Sequence, residues 1–470
     1  MRLTKIICTL GPASNSPEGV TSLAKAGMNI ARLNFSHGSL ESHRETIKML
    51  RGFNDKGDIN MAIMLDTKGS EIRTGDVETP ITITKGQEVI FSYEDITDTK
   101  GLQVIKVNYP EFAKDVQQAK YILLDNGELF FDIVKATDTH AHGRAQGDGS
   151  IGSRRHINLP GAHVSLPSVT EKDYADIAMG CQEQVDFVAL SFVRTAQDIR
   201  EVREFIKKNN STMQIIAKIE NDIAVQNIAE IIQESDAVMV ARGDLGAEIP
   251  IERVPAIQDE IVLHCREAGK PVIVATHMLE SMILHPLPTR AEVTDIAHAA
   301  VTGTDTTMLS GEMAAGKYPV ESLEMMARVL VETETHMPTA EQIFCHEDLQ
   351  EEPAIARALA AVTMATALEN PLIVVLSQTG TTARALSRCR SAFPIVAFTA
   401  DPLLQRRMQI LFGVQPLLLP YDTDPETTIQ AAFSELKKRG IRKAGDKVVL
   451  LSKVSVHDEN VNSIQVRTVS

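Results

Sequence analysis

Short apolar runs recur along this chain, and a segment with helical periodicity follows nearly every one of them. Such alternation indicates parallel β-strands joined by crossover helices. Eight runs precede residue 311, and eight strands favour a closed barrel over an open sheet. The predicted strands are Lys5–Leu10, Asn29–Asn34, Ala62–Asp66, Phe187–Ser191, Gln214–Ile219, Ala237–Ala241, Pro271–Thr276 and Thr306–Ser310. The predicted fold class is therefore α/β, built on a (β/α)8 barrel.

Nearly all of these runs end in a polar or charged residue. In a (β/α)8 barrel the carboxyl ends of the strands meet on the face that carries active sites. The polar strand ends are therefore expected to lie close together in space. They are Thr9, Arg32, Asp66, Ser191, Lys218 with Glu220, Asp244, Thr276 and Ser310.

Two further units interrupt or follow the barrel pattern. Residues 70–166 contain β-type runs but no convincing helix, and Asp125–Gly127 is a hairpin-turn signal. We expect a small all-β domain at 70–166, inserted into a barrel formed by 1–69 and 167–340. An acidic stretch at 338–352 indicates a joint. Four more apolar runs then alternate with helices, so residues 341–470 are expected to form a C-terminal open-sheet α/β domain.

Composition limits the partners and the compartment. A net charge of −15 argues against non-specific binding to nucleic acid or to anionic membranes, because both need a positive field. No apolar run approaches the roughly 18 residues of a membrane span. The five cysteines lie far apart and form no CxxC pair, so we expect them to be reduced. The expected location is the cytoplasm, without a leader segment.

Lys218, Glu220 and Asp244 form the strongest candidate cluster, since two neighbouring strand ends deliver them to one face. Two carboxylates suit a magnesium ion, which takes its other ligands from water and substrate. Lys218 would place positive charge where an enolate or a transferring phosphoryl group develops negative charge. The alternative is a solvated strand-end ion pair between Lys218 and Glu220.

A second group of residues offers oxygen ligands and basic forks. Four side chains offer only oxygen ligands, which suit a weakly held monovalent cation. They are Asn34, Ser36, Asp66 and Thr67. Glu71 adds negative charge beside them, and the guanidinium forks of Arg32 and Arg73 suit phosphate. The glycine motif Gly147–Gly152 opens no helix, so it is a weak candidate for a dinucleotide site.

A set of ordered motifs covers nearly the whole chain. They are Leu10–Pro12, Arg32–Gly38, Leu65–Gly69, Asn158–Gly161, Lys218–Asn221, Met239–Gly246, Pro288–Glu292 and Leu309–Glu312. In this order they resemble the motifs of the pyruvate kinase family. The resemblance implies phosphoryl transfer from phosphoenolpyruvate to ADP with magnesium and potassium. It also implies a barrel, an inserted β lid and a C-terminal regulatory domain, assembled as a homotetramer.

The resemblance also implies roles for single residues. Arg32 resembles the arginine that binds the substrate phosphate, Lys218 the lysine that stabilises the transition state, and Thr276 the threonine near the proton donor. The backbone of Gly243 and Asp244 matches the segment that receives the substrate carboxylate. The metal sets carried over are Glu220 and Asp244 for magnesium, and Asn34, Ser36, Asp66 and Thr67 for potassium. The nucleotide set is Asn34, His37, Arg73 and Arg155.

A loop in the C-terminal part is similar to the family's effector-phosphate loop. Its residues are Ser377, Thr379, Gly380, Thr381 and Thr382, between a strand-like run and a helix. The alternative is a helix cap with spare hydroxyls. Ser455–Asn462 stands where many members have a glycine-rich loop, and Asp458 and Glu459 would repel a second phosphate. We therefore expect activation by a sugar monophosphate.

Three functions compete at this point. The first is a pyruvate kinase, the second another phosphoenolpyruvate or pyruvate barrel enzyme such as a lyase or aldolase, and the third a non-catalytic sugar-phosphate sensor. The lid, Arg73 and the oxygen-only set favour the kinase, because a lyase needs no nucleotide pocket. Ser70 and His277 depart from the family's usual proline and glutamine, but neither change removes a catalytic atom.

Overall fold

The computed structural model describes residues 1–57, 59–162, 164–336, 353–456 and 459–470. Within these ranges the chain forms a closed barrel, a mainly antiparallel β unit and a five-stranded C-terminal sheet. The predicted acidic joint at 338–352 and Asp458 lie outside the described residues. The predicted fold class is confirmed.

Eight parallel strands close the barrel in the order β1, β17, β16, β15, β14, β13, β3, β2 when strands are numbered along the whole chain. Their bounds are β1 Lys5–Leu10, β2 Ile30–Asn34, β3 Ala62–Asp66, β13 Phe187–Leu190, β14 Gln214–Ile219, β15 Ala237–Ala241, β16 Val272–Ala275 and β17 Thr306–Leu309. Ile6 and Ile7 are both fully buried, because each strand packs on helices outside and on the barrel interior inside. This two-sided burial explains the continuous apolar runs.

The barrel helices lie between the strands and around their outer face. They are α1 Pro17–Ala26, α2 Leu40–Asp55, α4 Glu171–Gln182, α5 Ala196–Lys208, α6 Asp222–Gln226, α7 Ile228–Glu234, α8 Arg242–Glu248, α9 Val254–Glu267, α10 Arg290–Val301, α11 Gly311–Ala314 and α12 Pro319–His336. The first of them begins at the cap Ser16 and ends at Gly27, whose φ of 111° a side chain would strain. Among the described residues no helix is both long and apolar enough to cross a membrane.

The segment between β3 and α4 forms the inserted β unit. Its strands are β4 Ile72–Arg73, β5 Ile81–Ile83, β6 Glu88–Ser92, β7 Gln103–Lys106, β8 Tyr121–Leu124, β9 Leu129–Ala136, β10 Ala141–Ala145, β11 Gly149–Ile151 and β12 His156–Asn158. Asp125–Gly127 turns the chain between antiparallel β8 and β9, as predicted. The expectation of no helix is wrong by one short element, α3 Phe112–Asp115. The glycine motif spans β11 and the residues beside it, and it opens no helix.

The C-terminal sheet has the order β20, β19, β18, β21, β22. The strands are β18 Ile373–Leu376, β19 Ile395–Thr399, β20 Val414–Leu418, β21 Lys447–Val456 and β22 Glu459–Thr468, and the helices are α13 Pro353–Ala365, α14 Thr381–Arg388, α15 Pro402–Arg407 and α16 Pro425–Lys438. Sequence analysis missed β22, which pairs antiparallel with β21 at the edge of the sheet. One core cluster runs from the barrel interior into this sheet, through residues such as Met308, Ile410 and Val414.

Candidate active site

Three charged side chains meet at the carboxyl ends of β2, β3 and β14, although β13 separates β14 from β3 in the barrel. The Asp66 carboxylate accepts from Arg32 Nε at 2.7 Å and from Lys218 Nζ at 3.0 Å. Thr9 holds the other side of Arg32, with its Oγ1 2.9 Å from Nη1. Burial alone would raise the pKa of Asp66, but the two cations hold it below its usual value. Asp66 is therefore ionised, and it orients the side chains of Arg32 and Lys218.

Lys218 lies between two carboxylates and is almost fully enclosed. Its Nζ is 2.9 Å from Glu220 Oε1 and donates to Ser191 Oγ at 2.7 Å. Burial alone would lower the pKa of Lys218, but Asp66 and Glu220 raise it above its usual value. Lys218 and Glu220 do pair, but with side-chain exposures of 10% and 1% the pair is not the solvated bridge of the alternative interpretation. The lysine is a fixed cation at neutral pH.

Glu220 and Asp244 bring two carboxylates to the same mouth. Glu220 Oε2 accepts from the Phe192 amide at 2.7 Å. Burial raises the pKa of Glu220 to about 7, with Lys218 opposing the shift and Asp244 adding to it. Burial also raises the pKa of Asp244, to which repulsion by Glu71 and Asp66 contributes. For both groups the positive charge of Lys218 favours the ionised form, but burial and the neighbouring carboxylates outweigh it.

The end of β16 has an unusual backbone. Thr276 and His277 both have left-handed conformations, with φ values of 68° and 55°. Arg242 holds this turn, since its Nη2 donates to Thr276 O at 2.6 Å and its Nη1 lies 2.6 Å from Asp295. Thr276 Oγ1 accepts from the Gly243 amide at 2.7 Å. Such strain persists where surrounding contacts over-determine it, which is common at functional sites.

The oxygen-only residues follow β2 and β3 but already have partners. Asn34 Oδ1 accepts from the Ser36 amide at 3.1 Å, and Thr67 Oγ1 accepts from the Ser191 amide at 3.0 Å. Both Asp66 oxygens contact cations. The four residues are neighbours, as predicted, but their oxygens are less free than the pattern suggested.

The residues assigned to nucleotide binding are spread over the barrel and the β unit. His37 is exposed, and its carbonyl contacts His43 Nε2 at 2.7 Å. Arg73 pairs with Glu71 at 2.5 Å, and Arg155 pairs with Asp125 at 2.8 Å. Because both guanidinium groups are held by carboxylates here, a nucleotide phosphate would have to compete for them.

A second site lies at the start of α14. A cavity of about 420 Å³ is lined by Ser377, Thr379 and Thr382 from the predicted effector loop, together with Arg357 from α13. Gly380 caps the helix with a φ of 82°, and its amide donates to Ser377 Oγ at 3.1 Å. Thr381 lines a different cavity. The loop thus contributes three of its predicted residues to the pocket.

Several supporting residues were not predicted as site residues. The Phe192 amide and Asp295 act on Glu220 and Arg242 from distant parts of the chain, and no local pattern marks them. Ser191 was visible as a polar strand end. Arg357 lies on an apolar helix, where one arginine at a polar position carries no signal by itself.

Fold and site together define an enzyme of the (β/α)8-barrel class with an inserted β unit and a C-terminal α/β unit. The family model described as pyruvate kinase, barrel domain, matches residues 1–323, and the model described as pyruvate kinase, alpha/beta domain, matches residues 355–467. The chain belongs to the pyruvate kinase family.

Individual relatives agree with the family models. Plastidial pyruvate kinase 2 of Arabidopsis thaliana is 40% identical, over 100% of this chain and 81% of that protein. A pyruvate kinase of Staphylococcus aureus is 40% identical, over 97% of this chain and 78% of its own length. A crystal structure of a pyruvate kinase from Cryptosporidium parvum matches with a TM-score of 0.88 and 35% identity, covering 100% of this chain and 96% of that one. The predicted enzyme class, a phosphotransferase that makes pyruvate and ATP from phosphoenolpyruvate and ADP, is confirmed.

Proposed function

We propose that phosphoryl transfer takes place at the mouth of the barrel, with Arg32 and Lys218 as the cations that meet the phosphoryl group. The observation that carries this is the buried row formed by Arg32, Asp66, Lys218 and Glu220, joined by contacts of 2.7 to 3.0 Å. Such preorganised charge stabilises a developing anion without reorganisation. The Thr276 hydroxyl accepts a hydrogen bond from the Gly243 amide. It therefore lies beside the position that we propose for the substrate carboxylate.

Glu220 and Asp244 fit a magnesium ion. Both are carboxylates with raised pKa values, so a nearby divalent cation would favour their ionised forms. Within the described residues no group of three or more His, Cys, Asp or Glu side chains is placed to hold a metal. Magnesium is commonly held by one or two carboxylates, with substrate oxygens and water as the other ligands. When bound, it would neutralise charge on the transferring phosphoryl group.

A coupled assay of pyruvate formation, with and without ADP, tests the proposed reaction. Pyruvate is expected only when ADP and magnesium are both present. Consumption of phosphoenolpyruvate at the same rate without ADP would instead favour a lyase or aldolase. An absence of any turnover in a folded protein would favour a sugar-phosphate sensor.

The proposed potassium site leads to a prediction about monovalent ions. We expect activity to fall by about tenfold or more when potassium is replaced by tetramethylammonium, a loss of about 1.4 kcal/mol in transition-state stabilisation. The physical reason is the negative charge of Glu71, which also acts on Asp244 and is only locally balanced by Arg73. Initial rates in the two buffers measure the effect.

Glu71→Lys provides the matched variant for this prediction. A lysine there supplies the positive charge within the protein, and the family resemblance associates it with independence from potassium. We expect Glu71→Lys to have the same activity in both buffers. Glu71→Gln supplies no positive charge, so it should either have low activity in both buffers or keep the dependence on potassium. A wild-type protein that is fully active without potassium would contradict the proposed site.

We propose that ADP binds between the barrel mouth and the β unit, through Asn34, His37, Arg73 and Arg155. This rests on the positions of Arg73 and Arg155 in one unit and of Asn34 and His37 in the other. On ADP binding, the phosphates would take over guanidinium groups now held by Glu71 and Asp125. We propose the corresponding domain boundaries at 69/70, 166/167 and 340/341.

The pocket at the start of α14 is proposed as the site of a sugar monophosphate activator. Its hydroxyls from Ser377, Thr379 and Thr382 surround the helix start, and Arg357 faces them with a positive charge. Asp422 also lines the pocket and would disfavour a second phosphate nearby. Activation requires that the sugar phosphate bind the active conformation more tightly than the inactive one.

Thr382→Glu tests this effector site. We expect sugar monophosphates to lower the apparent KM for phosphoenolpyruvate in the wild type and to have no effect in the variant, because the new carboxylate occupies the phosphate position and repels it. Titration with hexose, pentose and bisphosphate sugars measures the response, and Thr382→Gln controls for side-chain size. Equal activation of wild type and Thr382→Glu, or strongest activation by the bisphosphate, would contradict the assignment.

We also propose the homotetramer and the cytoplasmic location implied by the family resemblance. Two separate surfaces support self-association. Ile251 and Leu287 are 76% and 68% exposed beside α9 and α10, and β22 is an edge strand with no partner on its outer side among the described residues. Cys8, Cys181 and Cys265 are free and buried, which is typical of a reducing compartment.

A further inference from the structure

A cavity of about 250 Å³ lies where the end of α9 meets α14. It is at the base of the barrel helices, remote along α9 from the strand ends that form the candidate active site. Ala268 and Lys270 line it from the barrel, and Thr381 and Arg384 line it from the C-terminal unit. The cavity is therefore built by both units at their junction.

The lining of this cavity is rich in positive charge. Lys270, Arg384 and Arg388 contribute three cations, whereas the lining carboxylate is Asp236. Asp236 is already engaged, since it is 3.1 Å from Arg203 Nη1. The cavity lining therefore carries a net positive charge, and its carboxylate, Asp236, is paired with Arg203.

Of the three lining cations, Arg384 is the one for which the described residues supply no hydrogen-bond acceptor. Its guanidinium makes no hydrogen bond within the part of the chain that the structure describes, although the residue is half-buried. Burial lowers the pKa of Arg384, and the carboxylates that oppose this shift are Asp236 and Asp305. The guanidinium borders the cavity, so an anionic ligand there would supply the acceptor that the described residues do not.

A narrow recess next to the cavity shares Lys270 and Arg384 with it. Three of its donors have no hydrogen-bond partner among the described residues: Arg266 Nε, Ser387 Oγ and Arg390 Nε. Ser387 and Arg390 are only 2% and 8% exposed. The recess is only about 10 Å³, room for one water molecule at most, so its donors add positive potential next to the cavity but do not themselves contact a phosphate.

We propose that this junction cavity binds a phosphate group, either inorganic phosphate or a small phosphomonoester. The volume accommodates a ligand of that size, and arginine is well suited to phosphate because its planar fork donates two parallel hydrogen bonds. Because the ligand would contact both units, it would stabilise their observed arrangement. The inference is independent of the roles proposed for the barrel mouth.

The junction cavity is separate from the pocket proposed for the sugar monophosphate. Thr382 lines that pocket, whereas Arg384 lines the junction cavity. Residues two positions apart in a helix do not face the same side, so α14 separates the two sites. Substitutions can therefore affect one site without filling the other.

Ala268→Glu and Ala268→Gln form the first test. Ala268 is exposed at the cavity mouth, so both side chains fit without disturbing the core. Isothermal titration of the full-length protein with inorganic phosphate and with glycerol 3-phosphate measures binding. We expect Ala268→Gln to bind like the wild type and Ala268→Glu to bind at this site about tenfold or more weakly, because a like charge lies within roughly 6 Å of the ligand.

A second pair of variants removes one positive charge from each site. Arg384→Gln should abolish the phosphate binding that Ala268→Glu weakens, whereas Arg357→Gln should retain it and affect the other pocket. Tighter binding of glycerol 3-phosphate than of phosphate identifies an ester as the ligand, and the reverse identifies the free anion. Identical titrations for Ala268→Glu and Ala268→Gln with both probes would overturn the proposal, as would equal losses in Arg384→Gln and Arg357→Gln.

Discussion

Replacing Lys218 by methionine is expected to lower kcat by about 10²-fold or more while phosphoenolpyruvate still binds. The raised pKa of Lys218 keeps its charge in place at neutral pH, and that charge matters most when the phosphoryl group and the enolate develop negative charge. Arg32, the proposed ligand of the substrate phosphate, stays in place, since its contacts with Asp66 and Thr9 do not involve Lys218. Steady-state rates and calorimetric binding of phosphoenolpyruvate measure the two effects.

Lys207→Met is the matched control for this experiment. Lys207 also forms an ion pair, 2.8 Å from Glu204, but it lies at the end of α5 and is 62% exposed. We expect the control to keep normal kcat. Thermal unfolding should show that both variants are folded at the assay temperature, although Lys218→Met leaves buried carboxylates without their cation. A kcat within a few-fold of wild type in Lys218→Met would show that another group supplies the positive charge.

Replacing Arg390 by methionine is expected to destabilise the protein by about 3–5 kcal/mol, the usual cost of breaking a buried ion pair from one side. Arg390 contacts both oxygens of Asp305, at 2.7 and 2.6 Å, with side-chain exposures of 7% and 4%. It also lies 4.8 Å above the Phe412 ring. Without Arg390, the carboxylate would remain buried between the barrel and the C-terminal unit.

Urea unfolding followed by circular dichroism measures this loss of stability. Arg154→Met is a suitable control, because Arg154 makes a similar contact of 2.8 Å with Asp76 but is 73% exposed. An exposed pair contributes about 1 kcal/mol or less, so the control should unfold near the wild-type midpoint. If Arg390→Met and Arg154→Met unfolded at the same urea concentration, the buried pair would not hold the two units together.

The barrel strands could be predicted because their signal is local. Each strand is buried on both faces, so a short apolar run with a polar end is enough to mark it, as Ala62–Asp66 shows. The edge strand β22 could not be found in this way. Its exposed side tolerates polar residues, and its pairing with β21 is decided by a neighbour in the sheet rather than by its own apolar content.

The members of the candidate site were visible, but their contacts were not. The order of the strands implied that Arg32, Asp66, Lys218 and Glu220 would gather at one face. Whether Lys218 would be solvated or enclosed depended on burial, which decided against a surface ion pair. Similarly, the charge of Glu71 was visible in the sequence, but its contact with Arg73 required the fold of the β unit.

The sequence by itself determined the barrel, the family and the set of polar residues at the strand ends, because periodicity and ordered motifs are properties of the chain. Only the tertiary structure decided which charges are paired, which donors lack an acceptor, and where the two units share a cavity. Arg384 and Arg390 illustrate the difference, since they are two ordinary arginines of α14 and its end until the fold places them against α9 and Asp305. The reason is physical: the free energy of a charge depends on burial and on neighbours distant in sequence.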